Sequence, residues 1–300
     1  MERRDFLVQT IAVTGGLLIT GPTLAQETAK STSRLTILHT NDTHSAIDPL
    51  PVNHAKFPGM GGVAKRMQLI QAIRNKEANV LLLDAGDIFQ GTPYFNRYGG
   101  ALELRLMTKM GYDAATMGNH DFDAGLSGFL KAKTHAQFPF LCANYDFTQT
   151  ILKESTQPYS IFQKGLIRVG VFGIGVELNG LVPESKYERT IYNDPIKTAN
   201  EQAAILRNKG CHLVICLSHL GFEYSDERIS DRKLANSTKG IDLILGGHTH
   251  TFLKEPVIER NIENQQVVIN QVGWGGIQLG RLDFELEKSR FKGNFPISVK

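Results

Sequence analysis

Five times in this chain a short apolar run ends in residues that bind metals. RLTILHT leads into Asn41-Asp42-Thr43-His44, and VLLLDA leads into Gly86-Asp87. DAATM leads into Gly118-Asn119-His120-Asp121, LVICL into Ser218-His219, and DLILG into Gly247-His248-Thr249-His250. Short apolar runs bounded by turn residues read as buried strands. In an open α/β sheet, sites form in the crevice beyond the carboxyl ends of the strands. A fold that accommodates this sequence therefore has to bring five strand ends to one crevice. Seven ligand-type residues would then meet there: Asp42, His44, Asp87, Asn119, His219, His248 and His250. They are too many for one ion. They suit two divalent ions sharing a bridging carboxylate, an arrangement used to hydrolyse phosphate esters.

The remaining sequence bounds the setting. A chain of 300 residues with 41% hydrophobic and 21% charged residues is an ordinary globular composition. It is long enough to bury a core without staples. The net charge of +3 is spread without long basic runs and does not argue for nucleic acid. At the start, Arg3-Arg4 followed by Phe6-Leu7 resembles a twin-arginine export signal. The stretch from Val8 to Gly21 is too short and too polar for a good membrane span. The expected organisation is a signal peptide over residues 1–25, a polar lead-in over 26–34 and one domain over 35–300, with a periplasmic or otherwise exported location. Cys142, Cys211 and Cys216 read as buried free thiols. Cys211 and Cys216 lie along one strand, about 16 Å apart, whereas a disulfide needs α-carbons within about 7 Å.

Helical spacing predicts an amphipathic helix over Val63–Glu77, further helices around Leu102–Met110 and Leu126–Ala136, and one opened by Asp194 and Pro195. Strands are predicted at Leu35–Leu38, Val80–Leu83, Ala114–Met117, Phe138–Cys142, Ile167–Ile174, Cys211–Leu217 and Ile241–Leu245. Asn144–Pro158 reads as a surface excursion. Pro256–Glu259, Val267–Val272 and Gly280–Leu286 alternate well enough for an antiparallel end. The order is rich in βαβ units with a β-rich tail. Both a doubly wound single sheet and two packed sheets are compatible with it.

The order D-x-H, G-D, G-N-H-D, a lone His after a strand, then G-H-x-H resembles the calcineurin-like metallophosphoesterases. The contexts LHTNDTHS, DAGDIFQGTPYF, GYDAATMGNHDFD, LSHLG and GGHTH are similar to the 5'-nucleotidase branch of that superfamily, from about Leu35 to about Phe284. The resemblance implies an α/β four-layer sandwich, with two packed mixed β-sheets flanked by helices. It implies Asp87 as the bridging ligand, with Asp42, His44 and His250 completing one metal shell and Asn119, His219 and His248 the other. His120 would act on the phosphate or the leaving oxygen without ligating, and Asp123 would orient it. Oxygen and nitrogen ligands without thiolate fit Mn²⁺, Zn²⁺, Fe²⁺ or Co²⁺.

The implied activity is hydrolysis of phosphate monoesters, foremost nucleoside 5'-monophosphates, by in-line attack of a metal-bound hydroxide. A phosphodiesterase or broader phosphoesterase is the alternative, and a non-catalytic metal- or phosphate-binding module the third reading. Full-length members carry a second, C-terminal domain that binds the nucleoside. This sequence runs to Lys300, so the resemblance raises a separate partner chain carrying that domain. Phe89, Tyr94 and Phe95 are candidates to line the cleft. His39, His54, His135 and His212 lack a motif and read as structural. Asp84 and Asp121 read as local hydrogen-bonding residues, and Gly86, Gly118, Gly246 and Gly247 as tight turns near the metals.

Overall fold

Alternation along the strands sorts the apolar side chains into separate layers, because successive side chains point to opposite faces of a sheet. The computed structural model describes residues 34–285, 290–292 and 297–299; the signal-like segment 1–25 and the lead-in through residue 33 lie outside the described residues. In chain order the elements begin β1 Arg34–Thr40, α1 Val63–Arg74, β2 Val80–Asp84, α2 Pro93–Tyr98, α3 Ala101–Met110, β3 Ala114–Ala115, α4 Gly125–Lys133, β4 Tyr145–Asp146, β5 Tyr159–Lys164 and β6 Ile167–Ile174. They continue α5 Glu184–Tyr187, β7 Ile191–Tyr192, α6 Pro195–Asn208, β8 Leu213–Ser218, α7 Asp231–Ser237, β9 Leu243–Gly246, β10 Val257–Arg260, β11 Gln266–Asn270, β12 Gln278–Glu285, β13 Arg290–Lys292 and β14 Ile297–Ser298.

Two mixed sheets result. One runs β13-β12-β1-β2-β3, with β14 also on β12; the other runs β10-β11-β9-β8-β6-β5. Their facing sides build one core: Leu35, Ile37, Leu81 and Leu83 from the first sheet meet Val169, Ile215, Leu217 and Leu243 from the second. The alternate residues turn outward. Leu38 and Leu82 pack under α1, α3 and α4, and Val214, Cys216 and Ile244 pack under α6 and α7. The order of layers is helix, sheet, sheet, helix. Each fully buried Leu or Ile in these layers contributes about 1.5–3 kcal/mol.

The register levels the strand ends. In the first sheet the parallel pairs Thr40↔Asp84 and Asp84↔Ala115 end side by side. In the second, Ile174↔Ser218 and Ser218↔Gly246 do the same. Each motif loop therefore leaves its sheet at the same height as its neighbour. The α6 helix starts as predicted, with Asp194 accepting from the backbone N–H of Lys197 and Pro195 in the first turn. No helix among the described residues is long and apolar enough to cross a membrane.

Several local readings change. Phe138–Cys142 is not a ladder strand; it makes only single bridges at Phe140 and Leu141. Pro139 within it has no N–H to donate, which is unfavourable in a sheet interior. The 144–158 excursion carries β4 and buries Phe147 and Leu152. The tail is not one antiparallel unit: β10 pairs antiparallel with β11, but β11 lies parallel to β9, and β12 crosses to the first sheet beside β1. His135 sits in the turn after α4 rather than on the helix. Cys142, Cys211 and Cys216 are buried and free.

Candidate metal centre

The five loops bring two sets of ligand atoms together. Asp42, His44 and His250 form one set and Asp87, His219 and His248 another, each with its ligand atoms within 4.8 Å of one another. Asp87 Oδ2 reaches toward both sets, lying 3.1 Å from His219 Nε2 and 3.9 Å from His44 Nε2. Asn119 is buried beside them between two residues that touch Asp87. The backbone N–H of His120 donates to Asp87 Oδ1 at 2.8 Å. On the other side, Gly118 packs so tightly that a β-carbon there would collide with Asp87 Oδ1.

The backbone is specialised where ligands are presented. Asp42, His44, Asp87, His248 and His250 have φ of 48°, 46°, 54°, 72° and 53°. Left-handed backbone is uncommon outside glycine, and each such residue costs on the order of 1 kcal/mol or more. Cross-loop hydrogen bonds hold it. Asp42 N–H donates to Gly86 O and His44 N–H to Asp87 O. His248 N–H donates to the Asp42 carboxylate, with both oxygens at 3.0 Å. At Gly86, φ is 90° and a β-carbon would meet Gly118 N at 2.5 Å, so only glycine fits this crossing.

The lone pairs are arranged for a cation. His219 Nδ1 lies 2.7 Å from Ala85 O. A carbonyl only accepts, so Nδ1 carries the proton and Nε2 of the neutral ring presents a lone pair. That lone pair faces Asp87 Oδ2 and, at 4.0 Å, Asp42 Oδ1. His219 Nε2 and Asn119 Oδ1 are both buried without an aligned hydrogen-bond partner. His44 repeats the arrangement: Nδ1 lies 3.2 Å from Phe89 O, and Nε2 faces His250 Nε2 at 3.0 Å. Acceptors buried against acceptors are costly unless a positive charge lies between them.

Burial opposes charging His219, but Asp87 and Asp42 outweigh it, and the pKa rises to about 10. Burial alone would raise Asp87, yet His219, then His44 and His120, hold it well below the usual carboxylate range. Burial lowers His44, and burial with the His219 charge lowers His248 to about 4, so both rings favour the neutral form that a metal ligand needs. The residues fit two divalent cations: nitrogen and oxygen donors, no thiolate, and orphaned atoms aimed inward.

Beside this centre, His120 Nδ1 lies 2.9 Å from Asp123 Oδ2. The His120 ring is 5.3 Å from that of His44, centroid to centroid. The bond to Asp123 raises the His120 pKa, against burial and with help from Asp87.

The sequence profile of the calcineurin-like phosphoesterases matches residues 35–252, the stretch holding all five motifs. The chain belongs to the calcineurin-like phosphoesterase family. A snake venom 5'-nucleotidase from Gloydius brevicauda is 36% identical over 238 residues, which cover 76% of this chain and 39% of that protein. The 5'-nucleotidase of Homo sapiens is 32% identical over 275 residues, covering 85% of this chain and 47% of its own. The crystal structure of a 5'-nucleotidase precursor from Thermus thermophilus matches with a TM-score of 0.77 at 32% identity, over 88% of this chain and 54% of that one. This calcineurin-like phosphoesterase thus spans about half the length, or less, of these relatives.

The phosphoesterase centre also depends on residues outside the seven ligand-type positions. Asn41 donates its amide to Asp42 Oδ2 at 2.6 Å and to Gly273 O. Asp121 reaches well beyond a local turn: it accepts from the N–H groups of Asp87, Ile88, Phe89 and Gly118, binding two motif loops into one. Gln271 donates to Gly247 O and accepts from Thr249, supporting the G-H-x-H loop. Trp274 lies 6.3 Å from His250, ring to ring. Only contacts far along the chain reveal these roles. Of the proposed cleft residues, Phe89 is fully buried and stacks on Phe95 in the core, and Tyr94 donates its hydroxyl to Asp48. Phe89 therefore cannot touch a substrate. A cavity of about 600 Å³ lies at the opposite, amino-terminal end of the strands, lined by Leu35, Ile167 and Leu213 and by none of the ligand-type residues.

Proposed function

We propose that this phosphoesterase hydrolyses phosphate monoesters, with nucleoside 5'-monophosphates as the substrate class. The observation that carries the reading is the Asp87 carboxylate between two three-residue ligand sets, with the His120–Asp123 pair at its edge. The relatives are named as 5'-nucleotidases, which supports the substrate class. Asp87 would bridge the two ions, with Asp42, His44 and His250 holding one and Asn119, His219 and His248 the other. When bound, divalent ions would supply Lewis acidity toward phosphate oxygens and toward the water nucleophile.

The chain's own groups do the rest. Asp121, Asn41 and Gln271 fix the loops, so the ligand atoms need little rearrangement. Asp123 accepts the Nδ1 proton of His120 and sets the ring orientation, which leaves Nε2 on the far side of the ring. With its pKa raised by the bond to Asp123, His120 is the group placed to donate a proton to a phosphate or leaving-group oxygen. An exported location accompanies this reading, through the twin-arginine-like start at Arg3-Arg4.

The test is turnover of AMP, p-nitrophenyl phosphate and bis-p-nitrophenyl phosphate with Mn²⁺ or Zn²⁺ supplied in turn. Metal-dependent release of phosphate from both monoesters, well above diester cleavage, supports the proposal. A preference for the diester sinks the monoesterase assignment, and no metal-dependent turnover sinks the catalytic one.

A further inference from the structure

A second cluster of buried charge lies behind the ligand loops. A cavity of about 10 Å³ sits between α1, α3 and the loop that follows β1. Three polar side chains line it: Ser45, Arg66 from α1 and Glu103 from α3. Each of them is at most 3% exposed. Ser45 Oγ, Arg66 Nε and Nη1, and both Glu103 carboxylate oxygens have no hydrogen-bond partner among the described residues. The other walls are largely apolar, with Val63, Ile88 and Met107 among them. Such walls return nothing for lost hydration, and a charge buried without a partner is costly. Opposite charges on two helices thus share one cavity without a direct hydrogen bond between them.

The space fits about one water, and the chemistry selects it. Glu103 needs a donor and Arg66 needs an acceptor. A cation would satisfy Glu103 but face the guanidinium; an anion would satisfy Arg66 but face the carboxylate. A water donates to one, accepts from the other and keeps a further bond for the Ser45 hydroxyl. The place matters because Ser45 follows His44. Asp42, His44 and Ser45 have left-handed φ of 48°, 46° and 51°, and such backbone persists only where its surroundings hold it. The Ser45 backbone is tied to neighbouring loops: its N–H donates to Ile88 O at 2.9 Å and its carbonyl accepts from Thr92 Oγ1 at 2.8 Å. Arg66 also packs under the turn that follows Trp274, where a β-carbon on Gly276 would collide with Nη1. We propose that Arg66, Glu103 and Ser45 bind one water molecule, and that this water-bridged charge pair braces the His44 loop against α1 and α3. Arg66 and Glu103 are then positioning residues for the set of Asp42, His44 and His250, a role that rests on the metal-centre reading above.

A crystal structure of the full-length, metal-loaded protein showing ordered waters tests the site directly. One water within about 3 Å of both Glu103 and Arg66 supports it. A dry cavity, a direct Arg66–Glu103 ion pair or a metal ion in the cavity overturns it. Thermal denaturation of Arg66→Met, Glu103→Leu and the double variant tests the bridge. Each single change strands the opposite charge, so the double variant should lose far less than the sum of the two singles; additive losses overturn the bridge. Chelator titration tests the brace. In Glu103→Leu, or in Ser45→Ala where that variant does not fold, the ion that His250→Ala also loses should leave at about tenfold lower chelator concentration. The other ion should keep its wild-type affinity. Glu103→Gln, which retains an acceptor for the water, should stay near wild type. Equal weakening of both ions, or of neither, overturns the brace. If wild type binds no pair of ions, the metal-centre reading fails, and the crystal structure and thermal cycle still decide the water bridge.

Discussion

The two halves of the metal centre are unequally buried. In the set of Asp87, His219 and His248, the His219 side chain is fully buried and that of Asp87 is 2% exposed. In the set of Asp42, His44 and His250, the His44 side chain is 11% exposed and His250 42%. The fold itself holds the buried half in place: its central histidine is pinned by Ala85 O and faces Asp87 Oδ2 at 3.1 Å. The outer half has one ligand-type residue, His250, on the rim. This difference predicts a tightly held inner ion and a more exchangeable outer one, with Asp87 as the proposed group that couples them.

Removing that coupling should have the largest effect. Asp87→Ala is expected to abolish nearly all activity and to empty both halves, read as metal content per chain; a variant that retains two ions would break the bridging assignment. His120→Ala should keep both metals and lose about 10²- to 10⁴-fold in kcat. If it strips an ion instead, His120 belongs to a ligand set and the comparison has to be redrawn.

The proton on His219 sets a pH signature for the inner half. A group whose folded pKa is raised holds its proton until the pH passes that value, and metal binding must expel it. Apparent affinity for the inner ion should therefore rise with pH, about tenfold per unit between pH 7 and the region of 10. One proton should appear in the buffer per chain loaded, measurable by calorimetry in buffers of different ionisation enthalpy. His44 and His248, already neutral there, add no further dependence. Affinity flat with pH would mean that His219 has no proton to give up on metal binding.

The smallest effect concerns His120. Asp123→Asn removes the contact that raises its pKa, so the fall of kcat at alkaline pH should move to lower pH. The loss at neutral pH should be about tenfold, less than in His120→Ala. A pH profile that stays in place would show that Asp123 does not tune this ring.

Ligands and their supports are also unequally legible in the sequence. Strand ends such as VLLLDAGD and LVICLSH announce themselves, because a buried parallel strand is a continuous apolar run and its first polar residues fall at its carboxyl end. The grouping of ligands follows from the family's motif order. The supporting contacts do not follow, because they join residues with no local pattern: Asp121 to the loop after β2, Gln271 to the G-H-x-H turn, and Trp274 to His250. Short helices escape a sequence reading for a related reason. Pro93–Tyr98 buries no residue, and Asp231–Ser237 is too short to show a period. Phe138–Cys142 reads as a strand from its apolar content alone, and the proline in it decides otherwise.

The most direct test of two coupled, unequal halves is metal stoichiometry under competition. Wild-type protein loaded with Mn²⁺ or Zn²⁺ is titrated with a chelator, alongside His250→Ala and Asp87→Ala. Two ions should leave wild type in two separate steps, only the tighter one should remain in His250→Ala, and neither should be held firmly by Asp87→Ala. A single ion in wild type, or two ions retained with wild-type affinity in Asp87→Ala, would contradict a dinuclear centre bridged by Asp87.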